Sequence, residues 1–204
     1  MATIISHASA AVAVGLVYPS ETKSRAFWDY VVLCSILPDA DVVGFVLGVQ
    51  YGDFLGHRGF THSLTFAALL GLAVAYFIFP EERTPTRRFW KLAGFFAFVT
   101  ATHGLLDTIT DGGMGVALFS PFNLNRYFAP WTPVFVSPIG LREFLDDHGA
   151  VVFISKSRHI WLPFISYRGA MLLISELEYI WLPFWSVAGA VLLWKRLSKV
   201  KEDR

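Results

Sequence analysis

Seven side chains able to hold a metal ion fall in four short clusters of an otherwise apolar chain. They are His7, then Asp39 and Asp41 in Leu37-Pro38-Asp39-Ala40-Asp41. His57 and His62 follow in His57-Arg58-Gly59-Phe60-Thr61-His62-Ser63, and His103 pairs with Asp107. Four imidazoles and three carboxylates without a thiolate make an N/O donor set. Such a set suits zinc foremost, with manganese or iron as alternatives, whereas calcium and magnesium prefer oxygen alone. Seven donors exceed one tetrahedral ion and match two with room for water. Two ions a few ångströms apart activate a water and hold both oxygens of an in-line displacement, an arrangement common in phosphoesterases.

Spacing sets what each cluster can do. His103 and Asp107 are four apart, which on a helix puts both on one face. His57 and His62 are five apart across Gly59; a loop turning into a helix at Thr61 would aim both at one centre. Asp39 and Asp41 flank one residue and would diverge on a straight helix. A break at Pro38 lets one bind metal while the other bridges a second ion or takes a proton. The expected metal ligands are therefore His7, Asp39, His57, His62, His103 and Asp107. Asp41, the carboxylate left over, is expected to orient or deprotonate the attacking water. Arg58 is expected to clamp a phosphate-like group bidentately. Plainer readings stand beside these. His103–Asp107 and His7 could be hydrogen bonds between helices, Asp39 a helix cap, and Arg58 a snorkelling arginine.

The elements that must position these residues read as membrane helices. Hydrophobic residues make up 54% of 204 and charged residues 16%, against about 25% charge in soluble domains; mean hydropathy is +0.50. Nineteen Phe and seven Trp suit a lipid-facing surface with interfacial anchors. A net charge of +1 gives no electrostatic footprint for nucleic acid. The single Cys34 excludes an internal disulfide and reads as a small core residue. No basic residue precedes the first apolar stretch, so no cleaved signal peptide is expected. Apolar segments at about 3–18, 27–49, 61–79, 89–110 and 170–194 predict an all-α polytopic bundle of four to five spans. The first is rich in small residues, so whether 1–18 spans or is re-entrant stays open. The second is broken at Pro38, and the fifth, which holds Glu176 and Glu178, is expected to begin its crossing nearer Tyr179. A single domain, 1–204, is expected. Within it, 111–169 with Pro121, Pro130, Pro133 and Pro138 reads as an irregular extramembrane cap.

A local tandem repeat covers 149–188: Gly149–Arg168 and Gly169–Ala188 align without gaps and share ten of twenty positions. On alternating spans, 20–26, 80–91 and the C-terminal tail share a side and carry eleven of the seventeen basic residues. The positive-inside rule makes that side cytoplasmic. The four clusters then converge on the outward face, which hydropathy and charge counting were not chosen to produce. Ionisable groups at membrane depth are costly and mark a functional site by default.

These residues resemble the YdjM-type family of inner-membrane-bound, metal-dependent hydrolases. The likeness runs through His7, the Leu-Pro-Asp-x-Asp of 37–41, the His-Arg-Gly-x-Thr-His-Ser of 57–63 and the His-x-x-x-Asp of 103–107. It continues in Gly112-Gly113, Ser120-Pro121-Phe122, Ser137-Pro138-Ile139-Gly140 and Ser175-Glu176-Leu177 with Ile180-Trp181-Leu182-Pro183; the extra Ile-Trp-Leu-Pro-Phe copy departs from it. The resemblance implies a multi-pass inner-membrane hydrolase. With the site at a membrane face, the expected substrate is a phosphoester or a lipid-linked ester, and the expected partners are the bilayer and that substrate. Two other classes compete: a non-catalytic protein in which metal staples the bundle, and a metal-ion transporter. The transporter reading is the weaker, because only Asp39 and Asp41 approach the midplane where coupling sites sit.

Overall fold

The computed structural model describes residues 1–19, 23–82, 84, 86–137 and 167–202. Among them every regular element is helical: α1 (Ile4–Val17), α2 (Arg25–Ile36), a single turn α3 (Val43–Val46), α4 (Leu64–Ile78), α5 (Arg87–Thr108), α6 (Tyr167–Glu176) and α7 (Leu182–Glu202). Four of these begin at a Ser or Thr whose side-chain oxygen accepts the N–H three residues on. Thr3 caps α1, Ser24 α2, Ser63 α4 and Thr86 α5, each satisfying one of the orphan donors of a first turn.

Proline shapes the rest. Pro38 has no N–H to continue α2, so the chain tightens into a 3-10 stretch, Leu37–Val42, before α3. Pro183 sits inside a long helix, where its ring would strike the carbonyl of Tyr179. The chain widens into a π turn at Leu177–Trp181, and the rod continues from α6 into α7. Arg87–Thr108 and Gly169–Lys201 are long and apolar enough to cross a membrane; Ile4–Val17 and Leu64–Ile78 are shorter apolar helices. Glu176 and Glu178 therefore lie within a continuous helix rather than ahead of it.

Phe27, Val31 and Cys34 of α2, Val74 and Ala75 of α4, and Phe96 and Val99 of α5 form the main core, which Ala11 of α1 completes. Close backbone approach lets these helices pack, and two glycines show it. A Cβ on Gly71 would meet the backbone of Ala93 and Ala97 where α4 lies on α5, and one on Gly15 would strike the Trp28 ring at 2.8 Å. Cys34 is buried and unbridged.

Residues 111–137 of the expected cap form an irregular layer over one end of the bundle, while its last residues, 167–169, begin α6. The layer is pinned by Leu64 N–H to Leu118 O (2.9 Å), Ala129 N–H to Thr108 O (2.9 Å) and Ser137 N–H to Met1 O (2.8 Å). The remainder of the cap, with nearly all of the first repeat copy, lies outside the described residues; the second copy is helix.

Candidate metal centre

All four sequence clusters meet under this cap. His7 comes from the second turn of α1, Asp39 and Asp41 from the 3-10 stretch that Pro38 forces, and His103 and Asp107 from the last two turns of α5. His62 closes a 3-10 turn, Phe60–His62, and Ser63 then starts α4. The break at Thr61 expected from the five-residue spacing is thus a tight turn followed by a capped helix.

Two adjoining groups emerge. Asp39, His62, His103 and Asp107 each offer a ligand atom within 4.8 Å of the others, and all four are buried. His62 Nε2 lies 3.4 Å from Asp39 Oδ1 and 3.5 Å from Asp107 Oδ2. His103 Nε2 lies 3.3 Å from the same Asp39 oxygen, and 3.1 Å separates it from His62 Nε2. The second group is Asp41, His57 and His62. His7 joins neither; its ring stacks on His103 at 3.7 Å between centroids, with Nε2 3.4 Å from Asp107 Oδ1.

Hydrogen positions follow from the partners. His103 Nδ1 lies 2.6 Å from the Ser35 carbonyl oxygen, which only accepts, so Nδ1 carries the proton. His57 Nδ1 donates to Asp41 Oδ1 at 2.7 Å. The Thr61 hydroxyl donates to Asp41 Oδ2 at 2.7 Å, leaving its lone pairs and that carboxylate to receive His62 Nδ1–H at 3.1 and 3.2 Å. His103, His57 and His62 each meet an oxygen at Nδ1, so in the neutral ring Nε2 is the nitrogen left to ligate. That is the arrangement of metal-ligating histidines, whose second nitrogen is oriented by a carbonyl or carboxylate.

The group fits a cation on this chain's own chemistry. Both oxygens of Asp39, Asp107 Oδ2 and His57 Nε2 are buried without a hydrogen-bond partner. Two imidazole nitrogens 3.1 Å apart beside two carboxylates call for a positive charge among them, which a metal ion or a proton on His62 supplies.

Arg58 stands behind Asp107. Its guanidinium is fully buried, donates to the Gly112 carbonyl at 2.7 Å and to Thr110 Oγ1 at 2.8 Å, and brings Nε within 3.4 Å of Asp107 Oδ2. Its backbone sits at φ +61°, a left-handed conformation unusual for a long side chain, fixed by Ala117 N–H on its carbonyl at 2.9 Å. Arg126 staples the loop beyond, donating to the carbonyls of His57 and Tyr51 at 2.9 Å each. Burial pushes His57 below its ordinary imidazole pKa, against the hydrogen bond it donates to Asp41, which raises it.

Several partners were not singled out as site residues: Ser35, Thr61, Thr110 and Glu176. Glu176 is fully buried. Its carboxylate accepts both the N–H and the hydroxyl of Thr3, tying α6 to the segment whose Ala2 N–H donates to Asp107 Oδ1 at 2.9 Å. A carboxylate inside an apolar run was the available signal. Read as displacing the start of a span, it went unassigned.

The chain matches a family described as YdjM inner membrane protein over residues 1–180. Inner membrane protein YbcI of Escherichia coli (strain K12) is 37% identical over 163 residues, 80% of this chain and 92% of that protein. No solved structure matches.

Proposed function

From its place in the YdjM inner membrane protein family, to which this chain belongs, and from the buried His/Asp group, we propose that it is a metal-dependent hydrolase of the inner membrane. The substrate class is a phosphoester or ester, carried on a lipid. One observation carries this reading: Asp39, His62, His103 and Asp107, from three separate parts of the chain, turn lone pairs toward one buried point.

His62 and His103 through Nε2, with Asp39 and Asp107, would hold the ion. Hydrogen positions support one ion in this group, because a second at Asp41 and His57 would need His62 on both ring nitrogens. A bound divalent ion would supply Lewis acidity toward an ester oxygen and make a neighbouring water more acidic. The remaining steps fall to the chain. His57, held at Nδ1 by Asp41, takes the attacking water's proton on Nε2, and Asp41 stabilises the imidazolium that results. Asp41 thus works through His57, since His57 and Thr61 already engage its two oxygens. Arg58 holds Asp107 in place and keeps positive charge beside the reacting group, its Nε being the donor not committed to Thr110 or Gly112.

The near-complete burial of all four ligands favours a second reading, in which the metal only staples the bundle. Hydrolysis separates the two. Protein purified with its metal should cleave members of a panel of phosphodiester and lipid-ester substrates, and chelation should abolish the activity. Metal retention without turnover of any member would favour the staple.

The same proposal makes the chain multi-pass, with the His/Asp group on the outward face and the C-terminus in the cytoplasm. The eleven basic residues of the segments that alternating spans put on the other side support it. Single cysteines placed at Thr84 and at Asn125, in a background lacking Cys34, should label from opposite sides of the membrane. Labelling of both from one side would overturn this orientation.

A further inference from the structure

At the end of the bundle away from the His/Asp group, α1, α5 and α7 leave a groove of about 550 Å³ between them. Its walls are almost wholly apolar: Val14 and Val17 of α1, Phe95 and Phe98 of α5, and Phe184 and Val187 of α7 line it. Phe98 and Val187 are more than half exposed. The mouth lies at Val17, Tyr18 and Pro19, where α1 ends. Two ammonium groups converge there. Lys23 Nζ donates to the Leu16 carbonyl at 2.8 Å, and Lys195 Nζ donates to the Val17 carbonyl at 2.6 Å. They come from distant parts of the chain and meet on adjacent carbonyls of one helix end.

We propose that this groove is a binding site for an anionic phospholipid, with the phosphate on Lys23 and Lys195 and an acyl chain between α1, α5 and α7. Each lysine spends one of its three N–H donors on a carbonyl, leaving two apiece for the phosphate oxygens. The helix C-terminus draws the cations to this spot, where its last carbonyls carry only partial negative charge; Lys23 Nζ also lies 5.8 Å from the centre of the Trp28 ring, and among the described residues neither amine meets a carboxylate. Lys23 shows the consequence: partial burial, and then the Lys195 charge, pull its pKa below the ordinary lysine value. An apolar groove that reaches the end of α1, where two cations meet with no carboxylate partner among the described residues, matches a lipid in both its parts. A soluble phosphate would fill only the mouth, and a zwitterionic lipid would bring its own cation to the lysines.

The test uses the full chain, delipidated in an uncharged detergent. Dioleoyl phosphatidylglycerol should raise the thermal unfolding midpoint in a saturable way, dioleoyl phosphatidylcholine should raise it far less, and glycerol phosphate should leave it unchanged. Native mass spectrometry of the wild type in an equimolar mixture of the two lipids should show the anionic one retained several-fold more. This reads the preference without any variant. Lys23→Gln with Lys195→Gln should abolish the preference, and Val187→Trp should weaken retention of both lipids by filling the groove. Equal retention of the two lipids, a preference that survives the double lysine variant, or a midpoint shift given by glycerol phosphate alone would each overturn the proposal. So would Val187→Trp dissociating an oligomer while lipid retention stays unchanged, which would assign the groove to a second copy of the chain.

Discussion

Elemental analysis of the purified protein should find about one equivalent of a divalent transition metal, the number a four-ligand N/O site holds, and His103→Ala should lose it. In that variant Asp39 and Asp107 remain buried with one imidazole fewer to fix the ion, and the Ser35 carbonyl that oriented the ring loses its donor. The loss should reach stability as well as stoichiometry. Uncovering a buried charge by removing one partner costs about 3–5 kcal/mol, so the thermal midpoint of His103→Ala should fall well below that of the loaded wild type. Chelation of the wild type should lower its midpoint in the same direction. His57→Ala is the informative contrast. His57 is engaged by Asp41 through Nδ1 and is not one of the four ligands, so the variant should keep most of its metal. Undiminished metal in both variants would mean that the group does not bind an ion. Loss in both, from a wild type holding two equivalents, would restore the two-ion arrangement that a count of seven donors suggests.

The second large effect is kinetic. Asp41→Asn should retain metal and lose about a hundredfold or more in kcat, the scale of removing a proton-handling group. The amide oxygen can still accept His57 Nδ1–H. The amide nitrogen, however, cannot accept from Thr61 or from His62, and a neutral side chain cannot stabilise an imidazolium. Because Asp41 acts through His57, the double variant Asp41→Asn with His57→Gln should be little worse than the poorer single one. Additive losses would show that the two side chains act separately. A wild-type rate in Asp41→Asn would remove the carboxylate from the mechanism altogether. Arg58→Lys should also be impaired. An ammonium cannot reach Gly112, Thr110 and Asp107 together as the guanidinium fork does.

Much of this site was legible because metal-ligand chemistry uses few residue types and an apolar chain makes them conspicuous. His103 and Asp107 could be placed together from their spacing alone, since a helix fixes which face residues four apart share. The break at Pro38 was equally readable, because proline cannot continue the backbone ladder whatever surrounds it. Glu176 shows the limit. Its position in the sequence announced a buried charge, but its partner, Thr3, lies 173 residues away, and no local pattern connects the two.

The sequence by itself determined the helical class, the apolar segments and the donor set. Each depends on interactions within a few residues or on composition. The tertiary structure decided how the donors divide. It set His62 with His103 and Asp39 while drawing Asp41 toward His57, and it buried Arg58 against Asp107, Thr110 and Gly112. It also set which ring nitrogen of His57, His62 and His103 meets an oxygen, through groups as far along the chain as Ser35 is from His103. Those assignments rest on differences of an ångström between groups far apart in the chain, and such distances exist only once α1, α2, α4 and α5 have packed.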